Sequence, residues 1–525
     1  TRRGEVLRTV PRDNESINEC WLSDRDRYSH QGLYAADRVS EPQVKRNGVW
    51  QSTSWDDALG VAAEALKRVP GNELGILVHP ASSNEEGDLL LRLARGLGSA
   101  HIDHRLRQLD FADQATARAF GTPVAEWARV KAALLIGSDL RHELPLLNHR
   151  LHQATKKGAQ VFAVNPIDYD FNYRLAGASI VAPQAMVGAL LTLARAVVDG
   201  GASAPAALAE AIAAVSADDG DRLAIDALKS GAAAVILGEA AVTHPQASWL
   251  RALGKFIAEA TGAGYNELPV GANALGLTQT GVLPGNGGLD ARAMLLQPRK
   301  GYVLYGVEPP HDFADGAATL QALKGASAVV AFAAFASDAL RDVAEVILPI
   351  ALLPESDASL VNVDGMVQQV SAGAIAPGQT RAGWKVLRAL GGQLQLSGFE
   401  FDDLTGLRAG SVSKPPVPRE GLAVRADVSG LTRVANWPIY RTDAVLRRAG
   451  ALAAHPLNRA PAVRLNAEEA QRQGLTAGAG VSIAGQVLPL VIDPAVPTGA
   501  VWIEAAHSAT ATLPPYGATI TLGKA

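Results

Sequence analysis

Short apolar runs, separated by longer amphipathic stretches, form the main hydrophobic pattern of the sequence. Runs of this length predict β-strands buried on both faces, and the stretches 185–198 and 247–261 have the apolar spacing of helices. Because strands that alternate with helices form βαβ units, the pattern predicts an α/β fold with two doubly wound αβα subdomains. The predicted strands are 75–78, 132–136, 160–164, 233–237, 301–307, 328–332 and 343–348.

The two ends of the chain follow other patterns. Residues 1–47 are polar, and apolar and polar residues alternate at 5–10, which predicts a small β-rich module. Ser54 has the position of an N-cap before the first long helix. Residues 406–430, which include a proline-rich run after Lys414, predict a linker. Short apolar runs between Gly and Pro turns in 431–525 predict a small β-barrel.

Composition narrows the classes of function. The 525 residues are 48% hydrophobic and 19% charged, with a formal net charge of −4 and no block of like charges. Such a chain favours neither a nucleic acid nor an anionic membrane surface, so proteins are the expected partners. We predict no membrane span, because the run 178–198 is broken by Pro183 and 326–336 is too short. The first residues lack the apolar region of a signal peptide, and we expect them to be the interior of a longer chain.

Metal-ligating residue types are sparse. Cys20 is the single cysteine, whereas a cubane cluster usually needs four thiolates and a structural zinc site two or more. His149 and His152 are three residues apart and would share one face of a helix, close to His142 and Glu143. Surface polarity beside Arg150 explains this cluster better than a metal site. We therefore predict no metal site.

Two glycine-containing turns are the best candidates for a binding site. Gly137 and Ser138 follow one predicted strand, and Gly238 and Glu239 follow another. The carboxyl ends of parallel strands are where nucleotide-like ligands bind in doubly wound sheets. The alternative, that the glycines only turn the chain, is favoured because neither a dinucleotide fingerprint nor a phosphate-binding loop is present. No hydrolase elbow motif occurs either.

The segment 11–33, which includes Asn14, Asn18 and Arg27, closely resembles part of the large iron–sulfur subunit of NADH:quinone oxidoreductase, the respiratory complex I. In that family it follows a ferredoxin-like part. The resemblance extends along nearly the whole chain. Trp50 also matches the family. Further matches lie in the ranges 54–55, 83–86, 135–138, 343–349, 437–440 and 465–478, and at scattered positions between 354 and 385.

The resemblance implies the domain plan of molybdopterin oxidoreductases. In that superfamily a first module holds an iron–sulfur cluster, two αβα domains each hold a pterin–guanine dinucleotide, and a barrel caps the cofactor. The expected parts are a β module at 1–47 joined by 356–378, one αβα subdomain at 48–107 with 326–355 and 379–405, a second at 108–325, the linker 406–430, and the barrel 431–525.

This sequence departs from active members of the superfamily at the positions that hold cofactors. Ser23 stands where the last cluster cysteine is expected, three residues after Cys20. Asn165, Pro166 and Ile167 replace a run that ends in arginine, and Met366 replaces another arginine. Arginine suits phosphate and guanine contacts, so these losses predict that no molybdenum cofactor binds.

The resemblance therefore implies a non-catalytic structural portion of the subunit, with no catalytic, metal-binding or cofactor-binding residues. Gly137, Ser138, Gly238 and Glu239 would line a vestigial cleft. The expected 4Fe–4S and 2Fe–2S clusters belong to the N-terminal part of the full subunit, which precedes this segment. The expected partners are other peripheral-arm subunits, including the flavin-bearing NADH-binding subunit, on the cytoplasmic side of the bacterial inner membrane.

Two other functions remain open at this point. An active molybdenum or tungsten bis-pterin oxidoreductase, such as a subunit of an NAD-linked formate dehydrogenase, shares the same domains. A binding module that acts by itself is the third possibility.

Overall fold

The computed structural model describes residues 1–410, 421–425 and 428–525. The strands in chain order are β1 (Gln43–Arg46), β2 (Val49–Ser52), β3 (Leu74–Val78), β4 (His101–Asp103), β5 (Ala132–Ile136), β6 (Gln160–Asn165), β7 (Gly177–Ile180), β8 (Ala233–Leu237), β9 (Gly264–Glu267), β10 (Gly301–Tyr305), β11 (Ala328–Ala333), β12 (Val346–Pro349), β13 (Ala358–Val361), β14 (Val367–Val370), β15 (Thr432–Val434), β16 (Val463–Leu465), β17 (Gly480–Ile483), β18 (Gln486–Ile492), β19 (Ala500–Trp502) and β20 (Gly523–Lys524).

The helices in chain order are α1 (Asp24–Tyr28), α2 (Trp55–Lys67), α3 (Asn84–Gly96), α4 (Leu140–Glu143), α5 (Pro145–Thr155), α6 (Met186–Asp199), α7 (Ala206–Ala213), α8 (Asp219–Lys229), α9 (Glu239–Val242), α10 (Ala247–Thr261), α11 (Ala274–Thr280), α12 (Ala291–Leu296), α13 (Gly316–Lys324), α14 (Asp338–Val343), α15 (Gly383–Gln393), α16 (Leu404–Ala409), α17 (Gly450–Ala453) and α18 (Ala467–Arg472). Among the described residues, no helix combines the length and the apolar character that crossing a membrane requires. The Ser54 side chain accepts a hydrogen bond from the Asp57 N–H and begins α2, as predicted.

A seven-stranded sheet is the larger of the two mainly parallel sheets. Its order is β2-β1-β12-β11-β10-β3-β4, with β1 and β2 antiparallel at one edge. Apolar side chains of α2, α3 and α15 cover one face, and those of α12, α13 and α14 cover the other. Because both faces of the sheet are buried at its centre, β3, β10, β11 and β12 are largely apolar, which is the pattern that predicted them, whereas β1, β2 and β4 contain polar residues.

A five-stranded parallel sheet forms the second αβα unit. Its order is β7-β6-β5-β8-β9. Leucines of α6, α8 and α10 pack on one face, while α5 and the buried Trp127 pack on the other. The predicted fold class, a molybdopterin oxidoreductase-like α/β architecture with two doubly wound units, is confirmed.

The C-terminal segment forms a six-stranded mixed sheet in the order β15-β19-β16-β18-β17-β20. Its core contains Val463, Val481 and Val501, and α18 packs on it through Ala470. This sheet occupies the position of the predicted small barrel. The strands β13 and β14 form a separate antiparallel hairpin, and Ile375, just after it, donates its N–H to the Gly4 carbonyl.

Three details of the predicted domain plan differ from the structure. The alternating residues 5–10 form no strand: the Val6 N–H donates to the Tyr34 hydroxyl, and Leu7 and Val10 stay about 60% exposed. The segment 1–47 instead contains α1 and a 3₁₀ helix, Ser29–Tyr34, and its one strand, β1, joins the large sheet. The N-terminal module is therefore not β-rich.

The predicted boundary at 325 is also wrong. Strand β10 lies before it in the chain, yet pairs with β3 and β11 in the seven-stranded sheet. Hydrophobic periodicity identified this strand but carries no information on which sheet it joins. The linker 406–430 begins inside α16, and Lys414 with its prolines lies outside the described residues.

A buried ionic network ties the C-terminal segment to the end of β10. Arg447 donates to Glu308 Oε2 at 2.7 Å and to Asp312 Oδ1 at 2.9 Å, and Arg448 binds both oxygens of Glu308. The side chains of Arg447 and Glu308 are less than 10% exposed. Although burial alone would raise it, the Arg447 charge lowers the pKa of Asp312 to about 2. These carboxylates are thus ionised and depend on their arginine partners.

We predict that Arg447→Ala lowers the free energy of unfolding by about 3–5 kcal/mol, because it leaves the buried Asp312 without its ion-pair partner and leaves Glu308 with Arg448 alone. Urea unfolding followed by tryptophan fluorescence measures the loss. Lys255→Ala is the matched control, since Lys255 pairs with Glu259 on an exposed helix surface and should change stability by less than about 0.5 kcal/mol. Equal losses in the two variants would contradict the role of the network.

Candidate functional site

The candidate glycines lie at the topological switch point of the five-stranded sheet. From the central strand β5 the chain continues through β6 and β7 on one side, and β8 and β9 lie on the other side. The loops after β5 and β8 therefore diverge and leave a crevice, which is where open α/β sheets bind ligands. Gly137 and Ser138 follow β5, and Gly238 and Glu239 follow β8, so all four lie at this switch point. Of the four, Glu239 lines the cleft, whereas Ser138 is fully buried beneath it.

The seven-stranded sheet has its own switch point, between β3 and β10, since β4 lies on one side of this pair and β11 and β12 lie on the other. His79 follows β3, and Gly306 follows β10. The two switch points face one cleft, whose volume is about 1140 Å³ and whose lining includes His79, Gly306, Glu143 and Glu239. Trp437 of the C-terminal segment also lines the cleft.

Close packing of the two loops explains why glycine occurs in both. Gly137 has a φ of +55°, a backbone conformation that disfavours side chains. A Cβ on Gly238 would lie 2.4 Å from Ser138 Cα. The buried Asn165 holds the arrangement from below, because its side chain accepts from the Ser138 N–H at 2.8 Å and donates to the Ser138 carbonyl. Asn165 therefore supports the loop, and it lies at the start of the run in which active relatives carry an arginine.

Glu143 is the acceptor on which the hydrogen-bond donors of the crevice converge. Ser138 Oγ donates to Glu143 Oε2 at 2.8 Å. The Asp139 and Glu239 N–H groups both donate to Oε1 at 3.0 Å. Glu143 ends α4, and Pro145 begins α5 directly afterwards. A local segment of the chain thus places its own carboxyl group at the switch point.

The carboxyl groups of the crevice have raised pKa values. Burial, followed by the nearby Glu239 and Asp139 charges, raises the pKa of Glu143 to about 8. Burial also raises the pKa of Glu239 to about 7, although the hydrogen bond from the Trp437 N–H, at 2.7 Å, favours the ionised form. At neutral pH Glu143 is therefore mostly protonated, and few negative charges are held together in the crevice.

The second switch point also contains a carboxyl group of the chain. Glu86 Oε2 accepts from the Ser83 N–H and Oγ–H, both at 2.9 Å, in a capping box at the start of α3. Burial raises the pKa of Glu86. Because a capping box is common at helix starts, this group by itself indicates only a well-terminated helix.

One buried cation of the cleft, Arg107, is balanced by groups of the protein itself. The Arg107 guanidinium lies 4.4 Å from the centre of the Trp437 ring and donates to the Thr442 carbonyl at 2.6 Å. Burial is the largest cause that lowers the pKa of Arg107, and the neighbouring Asp312 and Glu239 oppose it. Burial likewise lowers the pKa of His79, which favours its neutral form. The positive charge of Arg107 therefore already has nearby carboxylates.

The crevice of the five-stranded sheet does not fit the phosphates of a pterin dinucleotide. The donors that would bind a phosphate there already have Glu143 as their acceptor. Asp139 and Glu239 next to them would repel added negative charge. The cleft has room for a large ligand, but this wall of it offers carboxyl groups instead of free cations or N–H groups.

The other predicted departures have structural roles. Ser23 caps α1 by accepting from the Asp26 N–H, and its Oγ also bonds the Asp26 carboxylate. Cys20 is exposed. Met366, in the turn of the β13–β14 hairpin, has its carbonyl bound by the Asn362 N–H. Within the described parts of the chain, no three His, Cys, Asp or Glu side chains are placed to hold a metal ion.

The sequence analysis missed the importance of Glu143. The residue was interpreted as part of a polar surface with His142, His149 and His152. The structure separates them: His142 binds Asp139, His149 accepts from Gln153, and Glu143 points into the crevice. The available signal was an acidic residue six positions after the turn glycine Gly137, within reach of that turn.

We predict that Gly238→Ala lowers the free energy of unfolding by about 1–3 kcal/mol, because the new methyl group overlaps Ser138 and Glu143. Gly188→Ala in α6 is the control, since its methyl group enters open space and should stabilise the helix by up to about 1 kcal/mol. Denaturant unfolding of both variants tests the expectation. If Gly238→Ala leaves the free energy of unfolding unchanged, the two loops are not in contact.

A raised pKa makes stability depend on pH in a defined direction. The folded protein holds the Glu143 proton up to about pH 8, whereas the unfolded chain releases it near 4.5. The free energy of unfolding should therefore fall as the pH rises through this window. Glu143→Gln mimics the protonated carboxyl group, so it should match the parent protein at pH 5 and exceed its stability at pH 9 by about 1–3 kcal/mol.

Urea unfolding of the parent protein and Glu143→Gln at pH 5, 7 and 9 measures this difference. Glu126→Gln is the matched control, because Glu126 is half exposed beside Arg129 and should show no pH-dependent gain. A gain for Glu143→Gln that is the same at all three pH values would argue against titration of Glu143.

Comparisons with known proteins give the family. Residues 38–393, more than half of the chain, match the family model described as "Molybdopterin oxidoreductase". Residues 1–31 match "NADH-ubiquinone oxidoreductase NDSU1/NuoG-like, 4Fe-4S domain". The solved structure of acetylene hydratase from Pelobacter acetylenicus has a TM-score of 0.68, covers 96% of this chain and 89% of its own, and is 14% identical, so it shows a shared fold alone.

Curated relatives are named as subunits of NADH-quinone and NADH-ubiquinone oxidoreductases. One NADH-quinone oxidoreductase subunit, from Rickettsia felis, is 33% identical over 178 residues, which are 33% of this chain and 26% of that protein. The NADH-ubiquinone oxidoreductase 75 kDa subunit of Reclinomonas americana is 24% identical over 415 residues, 74% of this chain and 54% of that protein. The matched part thus spans about a quarter to a half of these relatives. The chain belongs to the molybdopterin oxidoreductase family, with an N-terminal match to the 4Fe–4S domain of the complex I large subunit.

Proposed function

We propose that this chain is a non-catalytic structural portion of the large iron–sulfur subunit of an NADH:quinone oxidoreductase. In this proposal it lies in the peripheral arm and supports electron transfer from NADH to quinone by the whole complex. The names of the curated relatives support the assignment to the subunit. One observation supports a non-catalytic role. The Glu143 carboxyl group accepts the hydrogen bonds that the donors of the switch-point crevice could otherwise give to a ligand.

The proposal includes an absence of cofactors in this segment. One cysteine cannot supply the thiolates of a cubane cluster, and Ser23, at the expected ligand position, is engaged in capping α1. The 4Fe–4S and 2Fe–2S clusters would then belong to the N-terminal part of the full subunit. The match of residues 1–31 to a 4Fe–4S domain model supports the assignment to an iron–sulfur subunit.

The proposed partners are other peripheral-arm subunits, among them the flavin-bearing NADH-binding subunit. The proposed location is the cytoplasmic side of the inner membrane, as part of a membrane complex. Support comes from the names of the relatives and from the low net charge, which favours protein partners over nucleic acid. The rival function, an active molybdenum or tungsten bis-pterin oxidoreductase, is supported by the fold and the size of the cleft alone.

Metal analysis of protein purified from its native host separates the two functions. We predict molybdenum and tungsten well below one atom per ten chains, with no pterin released on denaturation, and co-purification of an NADH-oxidising flavoprotein. An engineered affinity tag at the end of the chain and mass spectrometry of the retained proteins test the second part. Stoichiometric molybdenum or tungsten with pterin would overturn the proposal.

A further inference from the structure

We propose that the Glu143 carboxyl group is a built-in occupant of the ligand position at the β5–β8 switch point and keeps this part of the cleft closed to phosphate-bearing ligands. The inference deepens the proposed function, since it rests on the non-catalytic role and names the group responsible. It predicts that a small carboxylate can take the same position once the side chain is removed.

The hydrogen bonds around Glu143 differ from those of an ordinary helix cap. Its oxygens bind donors from two loops: Ser138 and Asp139 after β5, and Glu239 after β8, which is 96 residues away in the chain. Such donors, at the end of a parallel sheet and within 3.0 Å of shared acceptor atoms, form the arrangement that binds an anionic oxygen. Here the acceptor comes from the chain itself.

Local chain geometry gives Glu143 an advantage over a free ligand. The residue is only five positions from Ser138, and the Glu143 N–H is fixed to the Asp139 carbonyl at 2.9 Å. Binding within one short segment costs little entropy, so the effective concentration of this carboxyl group is high. A free phosphate would have to displace it and leave it without donors.

The surroundings disfavour a phosphate by charge and by space. Asp139 and the partly ionised Glu239 lie beside the donors, and their negative charge adds to the cost of binding the multiply charged phosphate. Space is short as well, because even a methyl group on Gly238 would lie 2.5 Å from Glu143 Oε2. A neutral, protonated carboxyl group satisfies the same donors without adding charge.

Glu143→Ala removes the occupant and leaves its donors in place. In thermal unfolding of the 525-residue chain at pH 6, sodium formate and sodium acetate should raise the melting temperature of Glu143→Ala by about 2 °C more than sodium chloride at equal ionic strength. The parent protein and Glu143→Gln, whose crevice is filled, should respond equally to the three salts. Glu126→Ala, an exposed position, is the control for general carboxylate effects.

The inference is overturned if formate and acetate do not raise the melting temperature of Glu143→Ala beyond the sodium chloride value, or if they raise that of the parent protein equally. Calorimetric titration of the parent protein with pyrophosphate and with GDP requires no variant. No binding up to about 1 mM is expected, whereas binding that disappears in Ser138→Ala would show an open crevice and overturn the inference even if Glu143→Ala does not fold. If such binding occurs while the native protein holds no molybdenum, this inference fails and the proposed function stands.

Discussion

The backbone N–H groups at the ends of β5 and β8 need acceptors, and the structure of the cleft depends on how that need is met. The loops lie in contact because Gly137 and Gly238 allow it. Their donors then point into one crevice, where an unpaired N–H would cost about 1–3 kcal/mol. Glu143 satisfies two of these N–H groups and the Ser138 hydroxyl, so the crevice is stable without a ligand.

Two polar contacts of the C-terminal segment link the modules around the cleft. Glu239 accepts from the Trp437 N–H, which joins the five-stranded unit to the C-terminal segment. Arg447 and Glu308 join the same segment to the seven-stranded unit. Because one segment contacts both units, buried hydrogen bonds help to fix the separation of the two switch points. The pKa of Glu143 is raised because the side chain is buried here and lies near the carboxyl groups of Glu239 and Asp139.

Much of the fold could be predicted because it depends on local patterns. Strands such as β5 and β8 are apolar at every position, since both sheet faces are buried, and both were predicted at their observed bounds. The sheet that β10 joins could not be predicted, because pairing with β3 depends on contacts more than 200 residues apart. The turn glycines could be located from sequence, but the role of Glu143 could not, since one of its donors, the Glu239 N–H, comes from another loop.

Family membership and cofactor binding depend on different features of this chain. The fold is shared with acetylene hydratase at 14% identity. Whether the crevice accepts a ligand depends instead on which group bonds its donors. In this chain a single side chain at the end of α4, Glu143, bonds those donors. The fold therefore does not by itself decide what the crevice binds, because a fold does not determine function.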